Sequence, residues 1–216
     1  MTQKIAFPDA AGLYLEYSSN LVTRWANRLV SGFQSAFFID EEAKLAYYRD
    51  KGIEHTKAGR FTRALPLLDL VAEQRPDDAE TMLYRGLCNL KLGRKEEGMA
   101  LLESARSRDA GNATTAKILG IAYAQAGEHQ RALPLLSAAA EAFPDNFSVQ
   151  YRLGATLDNL GRHAEAVAYF ERALQLRPFA VKVLRAMAYS LEQLGERDKA
   201  MGFFKRADEL EDNEGN

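Results

Sequence analysis

Small residues recur every 34 positions along most of this chain. Gly52, Gly86, Gly120, Gly154 and Ala188 form one series, and Gly59, Gly93, Gly127, Gly161 and Gly195 a second, seven residues later. Ala64, Gly98, Ala132, Ala166 and Ala200 keep the same interval, as do the large apolar Leu68, Leu102, Leu136, Phe170 and Phe204. A fixed period of this size marks a stack of like units, each covering its neighbour's apolar face.

Two helices per unit account for the four series. Small residues at the first series and at Ala64 through Ala200 let the two helices approach closely. Glycine in the second series ends the first helix, because it takes the left-handed conformation at little cost. Leu68 through Phe204 fill the space between hairpins. Pro76, Pro144 and Pro178 stop the second helix, and Asp78, Asn112 and Asn146 stand where the next N-cap belongs. This is the tetratricopeptide (TPR) pattern, and it predicts an all-α superhelical solenoid of five repeats, 45–78, 79–112, 113–146, 147–180 and 181–214. First helices are expected near 45–57, 79–91, 113–125, 147–159 and 181–193, and second helices near 61–75, 95–108, 129–143, 163–176 and 197–210. Pro66 and Pro134 fall early in their second helices, where proline costs little or bends the first turn.

Lysine and arginine number 28 against 30 aspartates and glutamates, a net charge of -2, so the whole chain has no bias toward nucleic acid or membrane. The single cysteine, Cys88, excludes a disulfide framework and a thiolate metal cluster. The N-terminus lacks the pattern of a secretory signal, and no stretch approaches the ~18 apolar residues of a transmembrane helix. The expectation is a soluble protein of a reducing compartment, with no cofactor and no metal, that meets a membrane only peripherally through a protein partner. The C-terminus carries Asp208, Glu209, Glu211, Asp212 and Glu214 without a lysine or arginine, as a solvated, frayed end does; without residues 208–216 the chain carries +3.

Residues 1–44 depart from the repeat, with Ser18 and Trp25 where a small residue and a glycine belong. Val22, Trp25, Leu29, Phe33 and Phe37 recur at helical spacing beside Tyr14, Tyr17 and Phe38, which predicts an amphipathic helix near 21–38. It is either a degenerate repeat capping the solenoid or a segment offered to another molecule, including another copy of this chain.

First helices line the concave face of such a solenoid. The groove positions expected to bind protein are Arg49, Ile53, Leu83, Leu87, Leu90, Lys117, Ile121, Tyr151, Asp158, Asn159, Arg185 and Tyr189. The stretch Ile53, Leu83, Leu87, Leu90 and Ile121 is apolar and suits an amphipathic helix laid in a groove. The remainder mixes tyrosine with both signs of charge. Gly98 within a second helix costs ~1 kcal/mol against alanine. Ala110-Gly111 replaces proline after that helix, so a hinge is expected near 110–112, dividing 45–112 from 113–214.

Catalysis has little support. His55, His129 and His163 occupy unrelated repeat positions, and Cys88 stands where other repeats place Glu54, Ala122, Thr156 and Ser190. No nucleophile, base and oxyanion site assembles. The carboxylate clamp of TPR co-chaperones would require cationic or amide residues where Arg49, Ile53, Tyr84, Thr114 and Ile118 stand, and only Arg49 qualifies. Asn112-Ala113-Thr114 and Asn146-Phe147-Ser148 match the glycosylation triplet but are expected to be helix starts.

Tyr47-Tyr48-Arg49-Asp50-Lys51-Gly52-Ile53, Lys57-Ala58-Gly59-Arg60-Phe61 and Leu157-Asp158-Asn159-Leu160-Gly161-Arg162, in a chain of this length and register, resemble the MamA family of magnetosome-associated TPR proteins. That resemblance implies a non-enzymatic scaffold that self-assembles into a coat on the cytoplasmic side of the magnetosome vesicle and recruits other magnetosome proteins. It also implies that the N-terminal segment docks in a neighbouring copy's groove. The alternative is a monomeric adaptor that binds a foreign helix or peptide in the same groove.

Overall fold

The computed structural model describes residues 40–214. The chain divides into two units, Met1–Ala46 and Tyr47–Asn216. Of the first only residues 40–46 are described, and there Lys44 pairs with Glu41 at 3.3 Å. The expected helix near 21–38, with Val22, Trp25, Leu29, Phe33 and Phe37, lies outside the described residues.

Ten α-helices and no strands occur among the described residues. They are α1 (Glu41–Lys57), α2 (Phe61–Gln74), α3 (Ala79–Lys91), α4 (Lys95–Arg108), α5 (Ala113–Gln125), α6 (His129–Ala142), α7 (Phe147–Asn159), α8 (His163–Leu176), α9 (Val181–Gln193) and α10 (Arg197–Glu214). From Tyr47 onward they form five successive hairpins, and the second helix of each packs on the first helix of the next.

The turn within each hairpin follows from its glycine. Gly59, Gly93, Gly127, Gly161 and Gly195 have φ between 74° and 84°, the left-handed region that a Cβ makes costly. The following residue in each case donates its N–H to the carbonyl five back, as in Arg60 to His55 at 2.8 Å and Arg162 to Leu157 at 2.9 Å. This satisfies carbonyls that a helix end leaves orphaned.

Between hairpins, the side chains of Asp78, Asn112 and Asn146 accept hydrogen bonds from the N–H groups of Thr81, Thr115 and Val149 at 3.0–3.1 Å. The prolines act one residue upstream: Arg75, Phe143 and Arg177 leave the helical region, with φ of -130° to -141° and ψ of 64° to 89°. Asp109 adopts the same geometry (φ -132°, ψ 81°) without a proline after it. The α4–α5 joint therefore lacks the proline that stiffens the other turns between repeats 1 and 5. Helices α2 and α6 pass unbroken through Pro66 and Pro134. The carbonyls four residues earlier, on Thr62 and Gln130, belong to exposed residues and can turn to water.

Leu68, Leu102, Leu136 and Phe170 are fully buried, each worth about 1.5–3 kcal/mol. They sit where a Cβ on Gly52, Gly86, Gly120 and Gly154 would come within 2.7–3.0 Å of them, which explains why the two series move together. Phe204, at the same position of the last repeat, is half-buried, and among the described residues no further hairpin packs on it. Gly98 also has a packing reason: a Cβ there would meet the Gly86 carbonyl at 2.9 Å and the Leu90 side chain at 2.8 Å. A close approach of α3 and α4 thus accompanies the cost to helix propensity expected at this position.

Among the described residues the core falls into two clusters. Ile53, Ala64, Leu65, Leu68 and Cys88 form one. The other runs from Met82, Leu83 and Leu102 through Leu136 to Phe170 and Met187 without interruption at 110–112.

Candidate protein-docking face

The first helices α1, α3, α5, α7 and α9 carry every groove residue expected from the repeat. Their side chains divide by burial. Leu83 (2% exposed) and Ile53 (8%) belong to the core, so they shape the floor and leave the contact to others. Leu87, Leu90 and Ile121 are half-buried, with Leu90 and Ile121 packed on the larger core cluster. Arg49 is half-buried between Asp50 and Glu80, 3.7 and 4.0 Å away, and its Nε has no hydrogen-bond partner. The Nε itself is buried, and with the side chain 32% exposed a partner would meet the outer part of the guanidinium.

The C-terminal part of the face is aromatic and cationic. Phe147 and Tyr151, one turn apart on α7, stack at 6.4 Å with 9° between their planes. Lys182 lies 4.7 Å from the Tyr151 centroid and 5.5 Å from that of Phe147, and Arg177 lies 4.4 Å from Phe147. In the preceding repeat Lys117 lies 4.4 Å from the Phe143 centroid. Arg185 differs, since Asp208 and Glu211 of α10 bind it at 3.1 and 2.7 Å. Tyr189 is 54% exposed and meets Phe204 edge-on at 5.0 Å.

Asp158 is a structural node. It accepts a hydrogen bond from Ser190 Oγ at 2.6 Å and lies 2.8 Å from His163 Nδ1, joining α7 to α8 and α9. Asn159 beside it is exposed, and its side-chain amide donates to the Ala155 carbonyl at 2.7 Å. The contact between Asp158 and Ser190 repeats at the first seam, where Thr56 Oγ1 lies 3.2 Å from Cys88 Sγ. Both pairs are 32 residues apart and occupy equivalent repeat positions. Burial pushes the Cys88 thiol pKa up, consistent with a packed and unreactive side chain.

Sequence spacing missed a second polar cluster. The Tyr123 hydroxyl donates to Glu103, and Arg131 binds Glu103 at 2.9 Å and Glu128 at 2.7 Å while covering the Tyr123 ring at 4.1 Å. Burial and the Glu103 carboxylate push the Tyr123 phenol well above its ordinary range. The cluster ties α4 to α5 and α6 across the joint at 110–112. Among the described residues no group of three or more histidine, cysteine or acidic side chains is placed to hold a metal. No helix among them is long and apolar enough to cross a membrane.

The tetratricopeptide repeat family pattern matches residues 49–113, 119–181 and 157–214. A 78-residue stretch is 41% identical to the magnetosome protein MamA of Magnetospirillum gryphiswaldense and 40% identical to that of Paramagnetospirillum magneticum; it covers 36% of this chain and 36% of each relative. Among solved structures, a MamA of strain MSR-1 is 44% identical, with a TM-score of 0.71 over 79% of this chain and 98% of that one. A MamA of strain AMB-1 is 45% identical, with a TM-score of 0.72 over 76% and 97%. The five capped hairpins and the sequence shared with these structures have one explanation: the chain belongs to the MamA family of tetratricopeptide repeat proteins.

Proposed function

We propose that this chain is a non-enzymatic scaffold of the magnetosome that assembles with further copies of itself, coats the vesicle peripherally through a protein partner, and presents its first-helix face to other magnetosome proteins. The observation that carries this reading is the 44% identity to a MamA structure across 79% of the chain. In each copy, Val22, Trp25, Leu29, Phe33 and Phe37 dock against Leu87, Leu90 and Ile121 of a neighbour, with Arg49 fixing the register. A segment at one end of a chain that inserts in another copy's groove makes a heterologous contact, which propagates into rings or open polymers.

The same reading places flexion of the array at 110–112. The α4–α5 seam is the sparsest of those between successive repeats, and Asp109, Ala110 and Gly111 are exposed. The continuous core and the Glu103 cluster limit the amplitude of that motion.

Size-exclusion chromatography with light scattering tests the proposal, comparing the full chain with one that begins at Ala43. The full chain is expected to form large, concentration-dependent assemblies and the shortened chain a folded monomer. Assemblies of unchanged size after removal of the segment refute self-docking. A monomeric full chain favours the adaptor reading.

A further inference from the structure

Lys117 on α5, Lys182 on α9 and Arg177 in the turn between α8 and α9 are held in place yet lack an opposite charge, as does Lys57 of α1 at a longer 5.7 Å from the Tyr84 ring. Among the described residues no carboxylate lies within 4.0 Å of Lys117, Arg177 or Lys182, although fifteen such pairings occur elsewhere among those residues. Each of the three rests instead on Phe143, Phe147 or Tyr151. An aromatic face orients the ammonium or guanidinium and removes part of its water without neutralising it. The acidic groove residue Asp158 stands at the opposite end of α7 and is already engaged by Ser190 and His163. One lip of the groove, over repeats 3 to 5, is thus a positive, aromatic-backed strip.

We infer that this strip binds a carboxylate-rich segment of a different protein. The inference rests on the first-helix face being a docking surface, as proposed above, but assigns this half a separate occupant. The chain's own segments fit it poorly. Residues 1–39 carry three cations (Lys4, Arg24, Arg28) against two carboxylates (Asp9, Glu16), so their charge does not match the strip. In the acidic C-terminus, Asp208 and Glu211 are held by Arg185, and Glu209 lies 3.8 Å from Lys205. Helix axes at each seam lie ~10 Å apart, which puts Lys117 and Lys182, two repeats apart, on the order of 20 Å from each other. About 13 residues of an acidic helix cover that distance at 1.5 Å each.

The test uses the full chain and a fluorescein-labelled 14-residue peptide of glutamate and alanine, read by anisotropy. Binding is expected to weaken about tenfold in the double variant Lys117→Met with Lys182→Met, which keeps the aliphatic stems on the rings. The variant Lys117→Arg with Lys182→Arg should restore it. The double variant Arg94→Ala with Lys95→Ala, which removes the same charge at the distant α3–α4 turn, should change binding less than twofold. A lysine–alanine peptide of the same length should not bind.

Equal losses in the two charge-removing variants would mean that the peptide senses net charge, and would overturn the inference. A peptide of residues 204–216 that binds as tightly, with the same dependence on Lys117 and Lys182, would make a second copy the occupant and also overturn it. Light scattering of the same samples separates the two claims. No peptide binding by a chain that assembles normally defeats the acidic strip and leaves the scaffold reading in place. Peptide binding by a chain that stays monomeric supports the strip and defeats self-assembly.

Discussion

Repeats 1 and 2 and repeats 3 to 5 are built on one 34-residue plan but expose different chemistry on the same face. In the first pair, Leu87 and Leu90 leave part of their apolar surface open and Arg49 stands near Glu80. In the last three, Lys117 and Lys182 ride on aromatic rings with no carboxylate within reach. The positions that repeat between the halves are those that pack or turn: Gly52 under Leu68, Gly154 under Phe170, and Gly59 and Gly161 at positive φ. The positions that differ are free of those duties. In a solenoid, stability is carried by the periodic residues and specificity by the aperiodic ones.

The interior divides at a different place from the surface. The core separates repeat 1, with Cys88, from a cluster that runs through repeats 2 to 5. Leu68 and Leu136 occupy the same repeat position and are both fully buried. Truncating either to alanine is expected to cost about 2–5 kcal/mol, with different reach. In Leu136→Ala, hydrogen exchange should quicken through α3 to α10 together, whereas in Leu68→Ala it should quicken mainly in α1 and α2. The same pattern from both variants would mean that the two clusters unfold as one.

A smaller effect discriminates between two helical glycines. A Cβ on Gly98 has no room, whereas one on Gly202 meets nothing within 4 Å. Gly98→Ala should therefore lower thermal stability by about 1–3 kcal/mol through overpacking, and Gly202→Ala should raise it by up to ~1 kcal/mol. Denaturant melts of the two variants should shift in opposite directions. A stabilised Gly98→Ala chain would mean that the close approach of α3 and α4 relaxes easily.

The α4–α5 joint offers the smallest effects. Asn112→Ala removes the cap on Thr115 and should cost ~1 kcal/mol in a denaturant melt. Glu103→Gln weakens the link to Tyr123 and Arg131 at a half-exposed site, with an expected cost below ~1 kcal/mol. Its clearer signature is a wider distribution of distances between labels on repeats 2 and 4. An unchanged distribution would show that the continuous core, and not this cluster, limits motion at 110–112.

Most of the backbone was legible in the sequence because a small set of residue types enforces it. Eight of the ten helices match their expected ranges within one residue. The exceptions are the outer ends of the array. Helix α1 starts at Glu41 and not 45, because Asp40 accepts a hydrogen bond from the Glu42 N–H and begins the helix earlier. Helix α10 runs to Glu214 and not 210, since no proline stops it and Lys205 pairs with Glu209. The expected groove positions all fall on first helices, but the period does not distinguish an open position from a buried one such as Leu83. The contacts of Asp158 and Glu103 join two repeats, and that of Arg185 joins α9 to α10 within the last one, through residue types that do not recur with the period. Polar side chains at the Thr56 and Asp158 position, opposite Cys88 and Ser190, were the available signal for the seam contacts.

Substitution of Arg49 tests the docking face most directly. Arg49→Glu reverses the charge on the first-helix face of repeat 1 and sets a carboxylate beside Glu80. Light scattering is expected to give a markedly smaller particle than the parent chain at equal concentration, with the circular-dichroism helix signal unchanged. Assemblies of undiminished size from a fully helical Arg49→Glu chain would contradict the claim that copies join through this face.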